Sequence, residues 1–175
     1  MPLAPIGTSR RSGTGRRALS LLFAMLVVAG AVGISLPESA HAAIRPAAAG
    51  STDPIAVAAA DALAALWAKR SDVGDRLAVL VPLVAEAAKV SEGDLASAWS
   101  RASRRRMLVL LSALTQIGVP YRSRSATPGV GFDCSGLTSW AWSQVGVWLP
   151  HQSRRQIRAI PRSSKARVLP ADILY

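Results

Sequence analysis

Four times along this chain a side chain able to cap a helix stands directly ahead of an apolar stripe of helical period. Asp53-Pro54 sets a cap followed by proline at the first helical position, and Ile55, Ala59, Leu63, Leu66 and Trp67 follow at helical spacing. That pattern predicts a first helix to about Arg70. Ser71 to Asp75 breaks it, and Leu77, Leu80, Val81 and Val84 make a second stripe, expected to begin near Pro82 with some distortion. Ser91-Glu92-Gly93-Asp94 resembles a capping box that opens a short third helix to Ser100. Ser103 caps a fourth, with Met107, Leu108, Leu111, Leu114 and Thr115 on one side, stopping at Gly118 ahead of Pro120. No internal repeat is visible, and these helices read as packing elements rather than as a binding site.

From Tyr121 to Gly131 the composition turns to Ser, Arg, Pro and Gly, which is loop chemistry. Asp133 is the next cap, and Leu137, Trp140, Ala141, Gln144 and Val145 recur at three and four residues until Gly146 ends the helix. Val147 to Pro150 reads as an extended exit, and Ser153 starts another short turn. Arg167 to Tyr175 reads as a loop leading into a strand at Asp172-Ile173-Leu174-Tyr175, the one strand the pattern predicts.

Cys134, the single cysteine of 175 residues, falls in the first turn of the Asp133-capped helix. A thiolate is the nucleophile and a free thiol is only slightly ionised at neutral pH. The positive end of the helix dipole and the nearby Arg122 and Arg124 both favour the thiolate; Asp133 opposes them unless its carboxylate is spent on capping. The backbone N–H of Cys134 or Ser135 is then free to hold a developing oxyanion. The plain alternative is a small buried residue at a helix start. No Cys/His cluster exists, which excludes a structural zinc site, and no organic cofactor is implied.

Tyr121, Pro128, Gly131, Phe132, Asp133, Cys134, Ser135, Gly136 and Leu137 stand in the order and spacing of the NlpC-like cysteine peptidases, which this segment resembles. Gly146, Leu149-Pro150, Ser153 and Gln156 look like that family's G-x-x-L-P-x-x-S-x-x-Q segment, and Leu169-Pro170-Ala171-Asp172-Ile173 looks like its L-x-P-G-D-L strand start. The resemblance covers roughly Leu108 to Tyr175. It implies a papain-like α+β fold, here truncated so that the chain is mostly α-helical, and cleavage of peptidoglycan stem peptides between D-glutamate and a diamino acid. It also implies that Cys134 is the nucleophile, Tyr121 a hydroxyl that shapes the site, and Asp133 and Ser135 contacts to the bound peptide. Arg124 and Ser125 replace the family's Gly-Gly, so that loop is expected to take another path; Ala171 replaces a glycine, and His151 stands where an arginine is usual.

The family's histidine opens the strand after the one beginning at Asp172, and neither it nor the third polar residue falls within these 175 residues. His151 is not expected to replace it. A helix from Cys134 to Gly146 is about 18 Å long, and the five residues to His151 reach at most about 17 Å. His151 is therefore expected at a groove edge or on the surface, and the 175 residues alone are expected to be inactive.

Arg10, Arg11, Arg16 and Arg17, the uncharged run Ala18 to Ile34 and the small residues Ala40-His41-Ala42 have the order of a secretory leader, with cleavage expected after Ala42. The alternative is an uncut membrane anchor. The organisation read from the sequence is a leader at 1–42, a linker at 43–52, a helical region at 53–105 and a partial peptidase domain at 106–175. Residues 43–100 carry a net charge of −2 and residues 101–175 a net of +10. Arg101, Arg104, Arg105 and Arg106 would be the footprint of a nucleic-acid binder. For an exported chain the excess points instead to anionic cell-wall polymers or a lipid surface, with an idle solvated face as the plain alternative, and no nucleic acid is expected. The leading expectation is a secreted or wall-associated peptidoglycan endopeptidase. Its rivals are a non-catalytic wall-binding module and a membrane-anchored helical interaction protein.

Overall fold

The computed structural model describes residues 51–174, which fall within one compact unit. The leader, His41, the cleavage site expected after Ala42 and nearly all of the linker lie outside the described residues.

Helix α1 spans Pro54–Trp67, and its cap is the predicted one: Asp53 Oδ1 accepts from the N–H groups of Ile55 and Ala56 at 2.9 and 3.1 Å. It stops three residues before Arg70 because Lys69 turns left-handed (φ 54), letting the Arg70 N–H close back on the Ala65 carbonyl. Helix α2 spans Val73–Ala88 and corrects the expectation for Pro82, which lies in its interior rather than at its start. Pro82 has no N–H to give the carbonyl four residues back, yet the helix continues on both sides, because Leu80 and Ala85 are buried across the proline. Helices α3, Glu92–Ser100, and α4, Arg104–Leu114, begin at the predicted caps, with Ser91 Oγ and Ser103 Oγ each accepting from the third N–H that follows.

Ala59, Ala62 and Leu63 of α1, Leu80 of α2, Trp99 of α3 and Met107, Leu108 and Leu111 of α4 form the core. The two alanines leave α1 a smooth face, and α1 packs on both α2 and α4. Burial of Leu63, Leu80 and Leu111 stabilises the core by about 1.5–3 kcal/mol each. Helix α4 is shared, since it also packs on α5, and Val145 from beyond α5 joins the same cluster. The expected boundary at 105/106 lies in the first turn of α4, with core residues on both sides of it.

After α4 the chain turns through Gly118 into a two-stranded antiparallel hairpin of β1, Ala126–Thr127, and β2, Gly131–Phe132, with Ala126 opposite Phe132 and Thr127 opposite Gly131. Strands of two residues carry no alternation, so the pattern read only as loop. The buried Gln116 side chain accepts from Gly129 N–H at 3.0 Å and fixes the hairpin turn to the end of α4. Helix α5 spans Cys134–Ser143, α6 spans Ser153–Ala159, and a 3₁₀ turn spans Lys165–Arg167. The strand expected at Asp172–Tyr175 does not form among its described residues. No neighbouring strand pairs with it, and Asp172 is instead held in a turn, accepting from Leu169 N–H at 2.8 Å. The described residues are thus mostly helical with one short hairpin, and none of their helices is long and apolar enough to cross a membrane.

Candidate active site

Strand β2 delivers the chain to Asp133, whose carboxylate organises the start of α5. Its Oδ1 accepts from Gly136 N–H at 2.7 Å and from the Ser135 hydroxyl at 3.0 Å, while Oδ2 accepts from Arg124 N–H at 2.9 Å. The cap therefore ties together the helix and the loop that wraps it. Burial works to raise the Asp133 carboxyl, but the hydrogen bonds from Gly136, His151 and Ser135 outweigh it and hold the group below the usual carboxylate range. Asp133 is thus spent on capping, the condition under which it opposes a neighbouring thiolate least.

Cys134, the first residue of α5, is a free and exposed thiol, so the alternative of a small buried residue does not apply. No hydrogen bond takes up its backbone N–H or that of Ser135, as expected for the first two donors of a helix. Two unused donors beside an exposed thiol are the elements of an oxyanion site. Ser135 is buried, and its carbonyl accepts from the Gln156 side-chain amide at 3.0 Å. Gln156, itself buried, also accepts from the Thr138 hydroxyl at 3.0 Å, so α6 is pinned to the first turn of α5. Tyr121 is brought alongside: its backbone bridges to Phe132, and its side chain is exposed.

Gly136 has a steric reason to be glycine. A Cβ there would run into the Ser125 carbonyl and the His151 ring, which close over this turn from two sides. Arg124 and Ala171, which stand where the resemblance expects glycines, both take left-handed backbone conformations, φ 56 and 69. A turn that glycine makes freely costs other residues about 1–2 kcal/mol.

His151 is exposed, as expected, but the chain brings it back to the thiol end of α5, contrary to the reach expected from the sequence. Helix α5 ends at Ser143, so it is ten residues or about 15 Å long, and Gly146 (φ 74) turns the chain back along it. Residues 147–150 then carry His151 to the N-terminal end, where its Nε2 lies 3.0 Å from Asp133 Oδ1. The ring is engaged by Asp133, and no hydrogen bond joins it to the thiol. Sequence reasoning missed this pairing because it assumed a longer helix; Gln156 was visible only through the family segment. Among the described residues no three His, Cys, Asp or Glu side chains come together as a metal site.

Residues 118–175 match the family model described as the NlpC/P60 family. This stretch is similar to the NlpC/P60 family. It is similar to a probable endopeptidase of Mycobacterium tuberculosis, 44% identical over 69 residues, covering 39% of this chain and 18% of the relative. The peptidoglycan endopeptidase RipA of the same species is 37% identical over 82 residues, covering 38% of this chain and 17% of RipA. The bifunctional muramidase/DL-endopeptidase CwlT of Bacillus subtilis is 33% identical over 67 residues, covering 38% and 20%. The chain thus spans about a fifth of the length of these relatives. No solved structure matches it. Cys134, Asp133, Ser135 and Tyr121 all lie inside the matched stretch.

Proposed function

We propose that the NlpC/P60-like segment supplies the nucleophile side of a cysteine endopeptidase acting on peptidoglycan stem peptides. The observation that carries this reading is Cys134, exposed at the first turn of α5 beside two unused N–H donors, with the neighbouring carboxylate committed to the cap. The thiolate would attack an amide carbonyl, the N–H groups of Cys134 and Ser135 would hold the oxyanion, and collapse would release the amine and leave an acyl-enzyme for water to hydrolyse. Both proton transfers need a base and acid at the thiol. No hydrogen bond joins His151 to the thiol, so among the described residues that role is unfilled. We therefore expect the 175 residues alone to bind stem peptides without cutting them, and a chain extended through a histidine-bearing strand to cut between D-glutamate and the diamino acid. General acid–base help is worth about 10²–10⁴ in rate.

Muropeptide digestion decides between these outcomes. Cleavage by the extended chain that disappears on Cys134→Ala supports the proposal; robust Cys134-dependent cleavage by the 175 residues alone would overturn the expected inactivity, and cleavage that survives Cys134→Ala would sink the nucleophile. The order of charges and apolar residues in 1–42 supports export with cleavage after Ala42 and a secreted or wall-associated product. Intact-mass measurement of the exported protein tests this, and a mature chain still beginning at Met1 would favour the anchored alternative.

A further inference from the structure

Two clusters within the positive charge of residues 101–175 behave differently. Arg104, Arg105 and Arg106 are engaged within the protein: Arg104 donates to the Leu66 carbonyl at 2.7 Å, Arg105 to the Val145 carbonyl at 3.0 Å, and Arg106 to the Pro170 carbonyl and the Asp172 carboxylate. Arg106 is neutralised by Asp172, and Arg104 and Arg105, although exposed, are tied down by these bonds, so the three are less free than their clustering suggests. Arg154, Arg155 and Arg158 of α6 are different. All three are exposed, and no hydrogen bond or ion pair of the described residues engages their side chains.

At 100° per residue these three arginines fall within about 100° of arc, with Arg154 and Arg158 about 6 Å apart along the axis. The buried Gln156 occupies the opposite side and holds α6 to α5. The face is therefore presented outward by a fixed helix. Like charges at this spacing repel, and no ion pair among the described residues offsets them; the acids after residue 100, Asp133 and Asp172, are both already paired. Arg162 extends the same charge just beyond the helix and is also exposed and unengaged.

We propose that the outer face of α6 is a docking surface for a linear phosphodiester polymer outside the cell, such as a polyol-phosphate chain of the wall. Arginine forks match phosphate oxygens two at a time, and a repeating anion neutralises neighbouring arginines together. A lipid surface fits less well, because α6 carries no exposed large apolar side chain to enter it. A nucleic acid fits less well too, because the face carries no aromatic side chain on which bases would stack. The surface is independent of Cys134 and would tether the site to its polymer rather than take part in the chemistry.

The test measures binding of the full 175-residue chain to poly(glycerol phosphate) across a salt series, beside the triple variants R154Q/R155Q/R158Q and R154K/R155K/R158K. Loss of three contacts should weaken binding about tenfold at low salt and flatten the slope of log K against log salt by about 2. The lysine variant should keep most of that slope, and circular dichroism should show both variants folded. Equal binding by the glutamine variant and the unaltered chain overturns the proposal, as does failure of the unaltered chain to bind. Tighter binding to phosphatidylglycerol vesicles or single-stranded DNA at equal phosphate concentration overturns it in favour of lipid or nucleic acid.

Discussion

At the start of α4 three consecutive arginines reach three separate stretches of chain, whereas along α6 three arginines reach none. Composition does not separate the two groups; the surrounding acceptors do. Cations in the first turn of α4 oppose that helix's own dipole. Arg104 compensates by meeting the carbonyls of Leu66 and Trp67 at the end of α1, where a dipole is negative, with its guanidinium 6.0 Å from the Trp67 ring centre. Arg105 does the same just beyond the end of α5, and Arg106 holds the C-terminal turn. A basic cluster is thus a binding face only where the fold offers its members nothing to hold.

Arg106→Ala should break this comparison most visibly. Arg106 and Asp172 are each about three-quarters buried at the side chain, and removing the guanidinium leaves Asp172 and the Pro170 carbonyl without it. Hydrogen bonds to charged groups are worth about 1.5–3 kcal/mol, so urea unfolding should show a loss of about 2 kcal/mol. A change below about 0.5 kcal/mol would mean that α4 is no more committed than α6. Arg104→Gln and Arg105→Gln should cost less, about 0.5–1 kcal/mol each, since both side chains are exposed.

Acid should act through the same pair. Burial works to raise the Asp172 carboxyl, and the Leu169 N–H together with Arg106 outweigh it, so the group lies below its ordinary value in the folded chain. A lowered carboxyl contributes stability that is fully present above its unfolded pKa, about 3.9. That stability is lost as pH falls through the folded value. Urea midpoints should therefore be flat near neutrality and fall below about pH 4, with Asp133 contributing in the same direction. The decline should be shallower in Arg106→Ala; an equally steep fall would remove this pair from the acid response.

What could be read from the sequence follows the reach of each interaction. The starts of α1, α3, α4 and α5 were legible because Asp53, Ser91, Ser103 and Asp133 satisfy N–H groups two or three residues ahead. Cys134 and its capped turn were legible for the same reason, and family spacing added Tyr121 and Gln156. The interior position of Pro82 was not legible, because burial of Leu80 and Ala85 decides it. Nor was the return of His151 to Asp133, 18 residues away, or the use of Arg106, whose partner lies 66 residues on. The strand expected at Asp172 failed because a local apolar pattern cannot supply a neighbouring strand.

The smallest effect is the sharpest test of the contrast. If Arg154, Arg155 and Arg158 hold nothing within the protein, R154Q/R155Q/R158Q removes no internal bond and two repelling pairs, Arg154 with Arg158 (i,i+4) and Arg155 with Arg158 (i,i+3). Such a pair costs about 0.2–0.5 kcal/mol, and glutamine is nearly as good a helix former as arginine. Urea unfolding of the triple variant should therefore fall within about 0.5 kcal/mol of the unaltered chain, with any shift toward greater stability, and raised salt should shrink that gain by screening the repulsion. A loss of about 1 kcal/mol or more would show that the α6 arginines are structural like those of α4. The two groups would then differ only in where their partners lie.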